Sequence, residues 1–206
     1  YFDIRKDALY CDAPSSAKRK ASIEVVRHLF NCLIKWTAPL LPFTTEEAWL
    51  SRHPEAKSVH LEQFPEVPAG WRNDALAKKW DKVKDVRRAV TGALELERAA
   101  KRIGSSLEAA PLVHVTDADL REAINGIDMA EISITSDVTI LDSAAPSGAF
   151  ALDEVKGVAV VFAPATGTKC ARSWRYTHDV GSDPDYSEVS ARDAAALKEL
   201  KALGRL

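Results

Sequence analysis

The hydrophobic pattern of this chain changes its period at Gly104, and this change limits the folds that the chain can adopt. Before Gly104, apolar residues recur at steps of three and four, for example at Ile23, Val26 and Phe30, which indicates amphipathic helices. After it, short β-rich runs appear: PLVHV (111–115), AEISIT (130–135), VTIL (138–141) and GVAVVFA (157–163). The sequence therefore predicts a helical part followed by a smaller mixed part.

Three helices are predicted before Gly104. The first covers residues 18–36 and is capped by Ser15 or Ser16, and the second covers 45–51 with Thr44 or Thr45 as its cap. The third runs from Asn73 or Asp74 to Arg102, with a buried stripe of Leu76, Trp80, Val83, Ala89 or Val90, and Leu94. Apolar faces of this kind can be buried against one another, so a helical bundle is predicted over residues 1–103. Between the second and third helices, VHLEQF (59–64) is a possible extended segment.

The rest of the chain divides into two further predicted parts. Residues 104–163 form a small α/β domain whose short helix is capped by Asp117. Residues 164–206 form a tail that ends in an alanine-rich helix capped by Ser190. The predicted fold class is mainly α with an α+β appendage.

Composition excludes several classes of protein. The net charge of −2 gives no overall basic field, and no apolar run is long enough for a transmembrane helix. Three widely spaced cysteines favour a reducing cytosol, hence a cytoplasmic location. The five histidines have no neighbours at the spacing of a catalytic triad or a metalloprotease helix, so no catalytic residue is predicted. Because the chain opens with Tyr1, we expect it to be part of a longer protein.

A spacing typical of zinc ribbons occurs in the tail with the wrong residues. Cys170 and Ser173 form one pair, Ser190 and Asp193 form another, and sixteen residues separate the pairs. This matches the C-x2-C…C-x2-C framework of structural zinc sites, but only Cys170 is a thiol and serine is a poor zinc ligand. The spacing is either accidental or the remnant of a lost site. A residual site of Cys170, His178 and Asp193 is a third alternative.

Three groups of residues are candidate contacts for RNA: two groups of cations on helices, and one group of cations with an aromatic ring in the tail. Interleaved cations and aromatic rings suit single-stranded RNA, because cations attract phosphates and rings stack on bases. The alternative for the helices is a solvated face opposite an apolar stripe, and the alternative for the tail is a solvated loop with one buried tryptophan. The candidate residues are Arg19, Lys20 and Arg27 on the first long helix, Arg87, Arg88 and Arg98 on the last, and Arg172, Trp174 and Arg175 in the tail.

Four segments, taken in order, resemble the C-terminal end of bacterial isoleucyl-tRNA synthetases. They are YFDIRKDALYCD (1–12), APLLPFTTEEAW (38–49), RIGSSLEAAP (102–111) and KCARSWRYTHDVG (169–181). The resemblance implies that residues 1–103 are an anticodon-binding helical bundle, truncated at its N-terminus, and that the tail is a zinc-ribbon-like module. It also implies a protein that attaches isoleucine to tRNA(Ile) with ATP and Mg²⁺, while catalytic and editing domains lie elsewhere in the same chain. The implied partner is tRNA(Ile), and the implied state is a cytoplasmic monomer without a membrane partner.

The resemblance fails at the metal positions. Family members commonly carry zinc on four cysteines, whose places fall on Cys170, Ser173, Ser190 and Asp193, so a tail without metal or other cofactor is expected here. One alternative is a fragment of a related synthetase such as the valyl enzyme, which the segment 169–181 disfavours. The other is a non-catalytic helical scaffold that binds protein.

Overall fold

The computed structural model describes all 206 residues and is rich in α-helix, with a small β part. None of its helices combines the length and the apolar character needed to cross a bilayer. The helices are α1 (Phe2–Tyr10), α2 (Ala17–Thr37), α3 (Pro42–Arg52), α4 (Asp74–Ala99), α5 (Ala118–Ile124), α6 (Met129–Ser133) and α7 (Ala191–Ala202). The strands are β1 (Leu112–Val115), β2 (Thr139–Leu141), β3 (Phe150–Ala151), β4 (Val158–Val161), β5 (Thr168–Lys169) and β6 (Tyr176–Thr177).

The chain forms two compact units whose boundaries differ from the predicted ones at 103 and 163. The smaller unit is Pro14–Arg72, and the larger unit joins Tyr1–Ala13 to Asn73–Leu206. The difference arises at α4, whose buried stripe we predicted to pack within a bundle over 1–103. Instead, α4 contributes its stripe to the core that contains the sheet, and α1 belongs to that same unit.

The smaller unit is built from α2 and α3. The predicted cap of α2 is confirmed, because the Ser16 hydroxyl accepts a hydrogen bond from the Arg19 amide. A threonine cap for α3 is wrong: the helix begins at Pro42, which already has a helical φ, and the Thr45 hydroxyl donates to the Leu41 carbonyl instead. The core of this unit consists of Ala38, Trp49 and Val59, packed against Phe30, Ile34, Leu50 and Ala56.

The segment predicted as extended, VHLEQF, contains a 3₁₀ turn at Val59–Leu61. Glu46 of α3 explains this turn, since its Oε2 accepts from the Val59 amide at 2.8 Å and from the Ser58 hydroxyl at 3.1 Å. A side chain thirteen residues away in sequence thus satisfies a backbone donor that a strand would have paired with another strand.

In the larger unit, α4 packs against β3, β4, α5 and α6. Its cap at Asn73 is confirmed, because Oδ1 accepts from the Leu76 amide at 2.8 Å. Most of the predicted stripe is buried, but Leu76 is exposed near the start of the helix. The buried residues of α4 are Val83, Val86, Ala89, Val90, Ala93, Leu94 and Glu97.

The main sheet has the strand order β2-β1-β4-β3. Its central strand β1 runs parallel to β2 and antiparallel to β4, with Val113 opposite Val160. Two of the predicted short runs, at 111–115 and 157–163, form the buried centre of this sheet. The predicted cap of α5 at Asp117 is also confirmed.

The strand predicted for AEISIT is wrong, because Met129–Ser133 is the helix α6. Asp128 caps it by accepting from the Glu131 amide at 3.0 Å, and Ile134 ends it in the left-handed conformation at φ 59°. The apolar residues Met129 and Ile132 lie three apart and are both buried, so the run also fits one helical face. For a segment this short, the alternation alone does not distinguish the two structures.

The tail contains the hairpin of β5 and β6, followed by α7, whose predicted cap at Ser190 is confirmed. Gly167 makes the hairpin possible: its φ is +95°, and a Cβ there would lie 2.5 Å from the Thr177 carbonyl oxygen. Within α7, Ala194 is buried, and Leu203 at the end of the helix is exposed. A small cluster of Cys170, Val189 and Ala194 forms the core of the tail, with Val180, Tyr186 and Leu197 around it.

Contacts between α1 and the tail join the two ends of the chain within the larger unit. Arg192 of α7 pairs with Asp7, its Nη2 lying 3.0 Å from Oδ1, and Arg172 donates to the Tyr10 carbonyl at 2.7 Å. Burial lowers the pKa of Arg192, but the hydrogen bond and charge of Asp7 raise it by more. The cation is therefore retained in a partly buried position.

The packing of α4 predicts a large loss of stability in Leu94→Ala. Truncating a buried leucine removes its transfer free energy and leaves a cavity, so we expect the free energy of unfolding to fall by about 2–5 kcal/mol. Urea unfolding followed by circular dichroism measures this change. The matched control is Leu96→Ala on the same helix, since Leu96 is 55% exposed and its loss should have a much smaller effect. Equal effects of the two substitutions would contradict the orientation of α4.

The environment of Cys11 predicts slow alkylation. Burial, followed by the negative charges of Asp7 and Asp193, raises the pKa of its thiol to about 11. Because iodoacetamide reacts with the thiolate, Cys11 should react more slowly at pH 8 than the half-buried Cys32, and its rate should keep rising with pH up to about 11. Peptide mass spectrometry after timed alkylation of the folded chain measures both rates, with the urea-unfolded chain as control. Equal rates in the folded chain would show that Cys11 is accessible.

Candidate nucleic-acid interface

The cations of α2 lie in the smaller unit. Lys20 and Arg27 are exposed, whereas Arg19 is half-buried. The Arg27 guanidinium lies 3.2 Å from Glu24, and both side chains are largely in solvent. An exposed ion pair of this kind contributes about 0–1 kcal/mol to stability. Arg27 could therefore leave Glu24 and bind a phosphate with little loss of free energy.

The cations of α4 lie in the larger unit and differ from one another. Arg88 pairs with Asp85, and Arg98 pairs with Glu95, each three residues away on the exposed surface. Arg87 is half-buried and donates from Nε to the Ile132 carbonyl at 2.8 Å. Arg87 therefore holds the end of α6, while the other two cations remain at the surface.

Trp174 stands at the tip of a tight turn in the tail. The turn is closed by two backbone hydrogen bonds, from the Trp174 amide to the Cys170 carbonyl at 2.9 Å and from the Cys170 amide to the Arg175 carbonyl at 2.8 Å. Trp174 has φ 63° and is 62% exposed, and Lys169 Nζ lies 5.8 Å from its ring centroid. An exposed ring with a cation beside it suits stacking on a nucleobase. Lys169 was absent from the predicted site residues, although it lies in the same basic and aromatic segment.

The two arginines beside Trp174 support the fold. Arg172 Nη2 donates to the Tyr10 carbonyl at 2.7 Å, and Arg175 Nη2 donates to the Ser136 carbonyl at 2.9 Å. Their side chains also line an open, mainly apolar cavity of about 300 Å³ between α1 and the turn, with Ile4, Tyr10, Leu107 and Ile134. The structure thus brings Arg172, Trp174 and Arg175 together, with only Trp174 directed largely to solvent.

The four positions of the predicted lost metal site meet in the tail. Asp193 Oδ2 accepts hydrogen bonds from Cys170 Sγ at 2.9 Å, from Ser173 Oγ at 2.7 Å and from Ser190 Oγ at 3.1 Å. The Ser190 amide also approaches Cys170 Sγ at 3.4 Å. The spacing of the two pairs in the sequence therefore corresponds to a real cluster in space.

The donor set of this cluster does not fit zinc. It offers one thiol, two neutral hydroxyl groups and one carboxylate oxygen that already accepts three hydrogen bonds. His178 does not complete a residual site: it is exposed, its Nε2 lies 3.1 Å from the Thr166 hydroxyl, and no group of His, Cys, Asp and Glu side chains has the arrangement needed to hold a metal ion.

The charge of Asp193 is balanced within the cluster. Its Oδ1 lies 3.1 Å from Arg192 Nη2 and 3.9 Å from Arg172 Nε. Burial raises the pKa of Asp193, but the hydrogen bonds of Cys170 and Ser173, together with the charge of Arg192, lower it by more, so it lies below its usual value. The carboxylate is therefore ionised at neutral pH although the residue is 0% exposed.

Comparison with known proteins identifies relatives along the whole chain. It is 69% identical over 209 residues to the isoleucine–tRNA ligase of Mesorhizobium japonicum, 66% identical over 206 residues to that of Brucella abortus, and 65% identical over 203 residues to that of Agrobacterium fabrum. These alignments cover 100%, 100% and 98% of this chain but only 21% of each relative, so the chain spans about a fifth of their length.

A family model supports the same relationship. The model described as the anticodon-binding domain of tRNA ligase matches residues 1–114, which include α1 to α4 and most of β1. The matched segment covers more than half of the 206 residues. The chain therefore belongs to the family of anticodon-binding domains of tRNA ligases.

Proposed function

We propose that this chain is the tRNA-binding part of an isoleucine–tRNA ligase and that it binds the anticodon stem-loop of tRNA(Ile). The observation that carries the proposal is the identity of 63–69% with proteins named isoleucine–tRNA ligase, together with the anticodon-binding family of residues 1–114. The same relatives disfavour a valyl enzyme. A helical scaffold without an RNA partner is disfavoured by the family itself.

The proposal assigns different tasks to this chain and to the rest of the enzyme. The whole enzyme attaches isoleucine to tRNA(Ile) at the expense of ATP, with Mg²⁺, and its catalytic and editing domains lie outside these 206 residues. The enzyme is cytoplasmic and monomeric. The present chain forms no aminoacyl-adenylate itself: it holds the RNA. Isoleucine-dependent pyrophosphate exchange by the purified chain would contradict this division.

The contacts described above rank the residues proposed to touch RNA. Trp174 offers an exposed ring with Lys169 beside it, and Lys20, Arg27, Arg88 and Arg98 offer exposed cations. Arg87, Arg172 and Arg175 donate to backbone carbonyls, so a phosphate would have to share or replace those hydrogen bonds. Arg19 is half-buried, and its role is expected to be smaller.

Removing the exposed ring in Trp174→Ala should weaken binding of the anticodon stem-loop of tRNA(Ile) by about 1–3 kcal/mol, because a stacked base would lose its partner. Fluorescence anisotropy with a labelled stem-loop measures the dissociation constant. The matched control is Trp71→Ala, since Trp71 is similarly exposed at 56% but lies outside the predicted site. Unchanged affinity of Trp174→Ala would remove this residue from the interface.

Arg27→Ala should change the salt dependence of binding. Loss of one phosphate contact should reduce the slope of log K against log salt by about 0.7–0.9. A titration of the stem-loop at several KCl concentrations measures the slope. The control is Lys156→Ala, which removes the same charge from an exposed residue outside the predicted site. Equal slopes for Arg27→Ala and the unsubstituted chain would show that Arg27 contacts no phosphate, and binding without any salt dependence would favour the protein scaffold.

A further inference from the structure

The cluster around Asp193 has the arrangement of a coordination centre, with a carboxylate oxygen in the middle. Two segments far apart in the tail, at 170–173 and 190–193, each direct two side chains towards one point. In a structural metal site, the ion joins such segments through its bonds to the ligands. Here Asp193 Oδ2 joins them by accepting hydrogen bonds from the Cys170 thiol and from the hydroxyls of Ser173 and Ser190.

The same side chain connects the tail to α1. While Oδ2 faces the three donors, Oδ1 faces Arg192, and Arg192 also pairs with Asp7 and lies 3.6 Å from Asp12. The ionised carboxylate is thus held between hydrogen-bond donors on one side and a guanidinium on the other. A buried charge persists when its partners are arranged in this way.

The turn that bears Trp174 depends on this cluster. Cys170 and Ser173 are the inward residues of the turn, both bound to Asp193, and Trp174 follows them at φ 63°. A tryptophan rarely adopts a left-handed backbone, so surrounding contacts must fix it. The contacts that fix it include the two inward hydrogen bonds and the backbone hydrogen bonds from Trp174 to Cys170 and from Cys170 to Arg175.

We propose that Asp193 is a positioning residue whose carboxylate replaces a structural metal: it closes the tail without zinc and holds Trp174 in the orientation in which it meets RNA. The second part rests on the proposed function, and the first part does not. Hydrophobic packing alone does not account for the tail, because its buried cluster is small and the large ring of Trp174 is exposed.

The first test concerns metal and the rigidity of the turn. The chain, purified without a polyhistidine tag, should contain far less than one zinc per molecule, and EDTA should leave its melting temperature unchanged. Near one zinc per chain, with melting lowered by EDTA, would overturn the proposal. In Asp193→Asn, which keeps the size of the side chain and removes its charge, amide exchange at residues 170–175 should accelerate by about tenfold or more.

Controls make the exchange result specific. Amides in the centre of α4 should exchange as before in Asp193→Asn, which shows that the larger unit remains folded. Asp185→Asn removes an exposed carboxylate from the same tail and should leave residues 170–175 unchanged. If exchange in the turn is the same in Asp193→Asn as in the unsubstituted chain, Asp193 does not hold the turn and the proposal fails.

The second test separates positioning from direct contact with RNA. If Asp193 acts through Trp174, Asp193→Asn should weaken stem-loop binding about tenfold in a chain that retains Trp174. In a chain that already carries Trp174→Ala, the same substitution should have almost no effect. Additive losses in the double variant would overturn the positioning role. If Trp174→Ala itself leaves affinity unchanged, the proposed RNA contact fails, while the metal and exchange measurements still decide whether the carboxylate replaces the metal.

Discussion

The apolar face of α4 is the surface on which the larger unit is assembled. Its valines, alanines and Leu94 repeat at helical spacing, and the sheet, α5 and α6 pack against them. Because one helix face can be buried only once, this packing determines which elements form one unit. It explains why α4 belongs with the strands that follow it in sequence, although its amphipathic pattern is no different in kind from that of α2.

A buried carboxylate organises the tail in a different way. Burial of Asp193 is unfavourable by itself, but three hydrogen-bond donors and Arg192 stabilise its charge. Since Arg192 also pairs with Asp7, the charge balance of the tail includes α1, at a separation of 185 residues in the chain. A metal ion would supply strong bonds to four ligands. Asp193 Oδ2 accepts three weaker, directional hydrogen bonds, which connect the segments 170–173 and 190–193.

The arginines of the chain occupy two kinds of environment, which the sequence does not distinguish: some bind backbone carbonyls within the fold, and others lie on exposed helix surfaces. Arg87, Arg172 and Arg175 each donate to a backbone carbonyl in the larger unit, where they satisfy acceptors at the ends of helices or loops. Arg27, Arg88 and Arg98 pair only with neighbours on their own helix surface. Arginine suits both environments because its planar group carries five hydrogen-bond donors and a permanent charge.

The sequence by itself determined the local structure wherever the signal is local. The caps at Ser16, Asn73, Asp117 and Ser190, the long amphipathic helices, the strand runs at 111–115 and 157–163, and the family resemblance could all be predicted, because each depends on side chains within a few residues or on a motif. Tertiary structure alone decided that α6 is a helix, that Val59–Leu61 turns around Glu46, and that α4 packs on the sheet. It also decided that Cys170, Ser173 and Ser190 converge on Asp193. In these cases the deciding partner lies far away in sequence, and only folding brings the donor, the acceptor or the apolar face into contact.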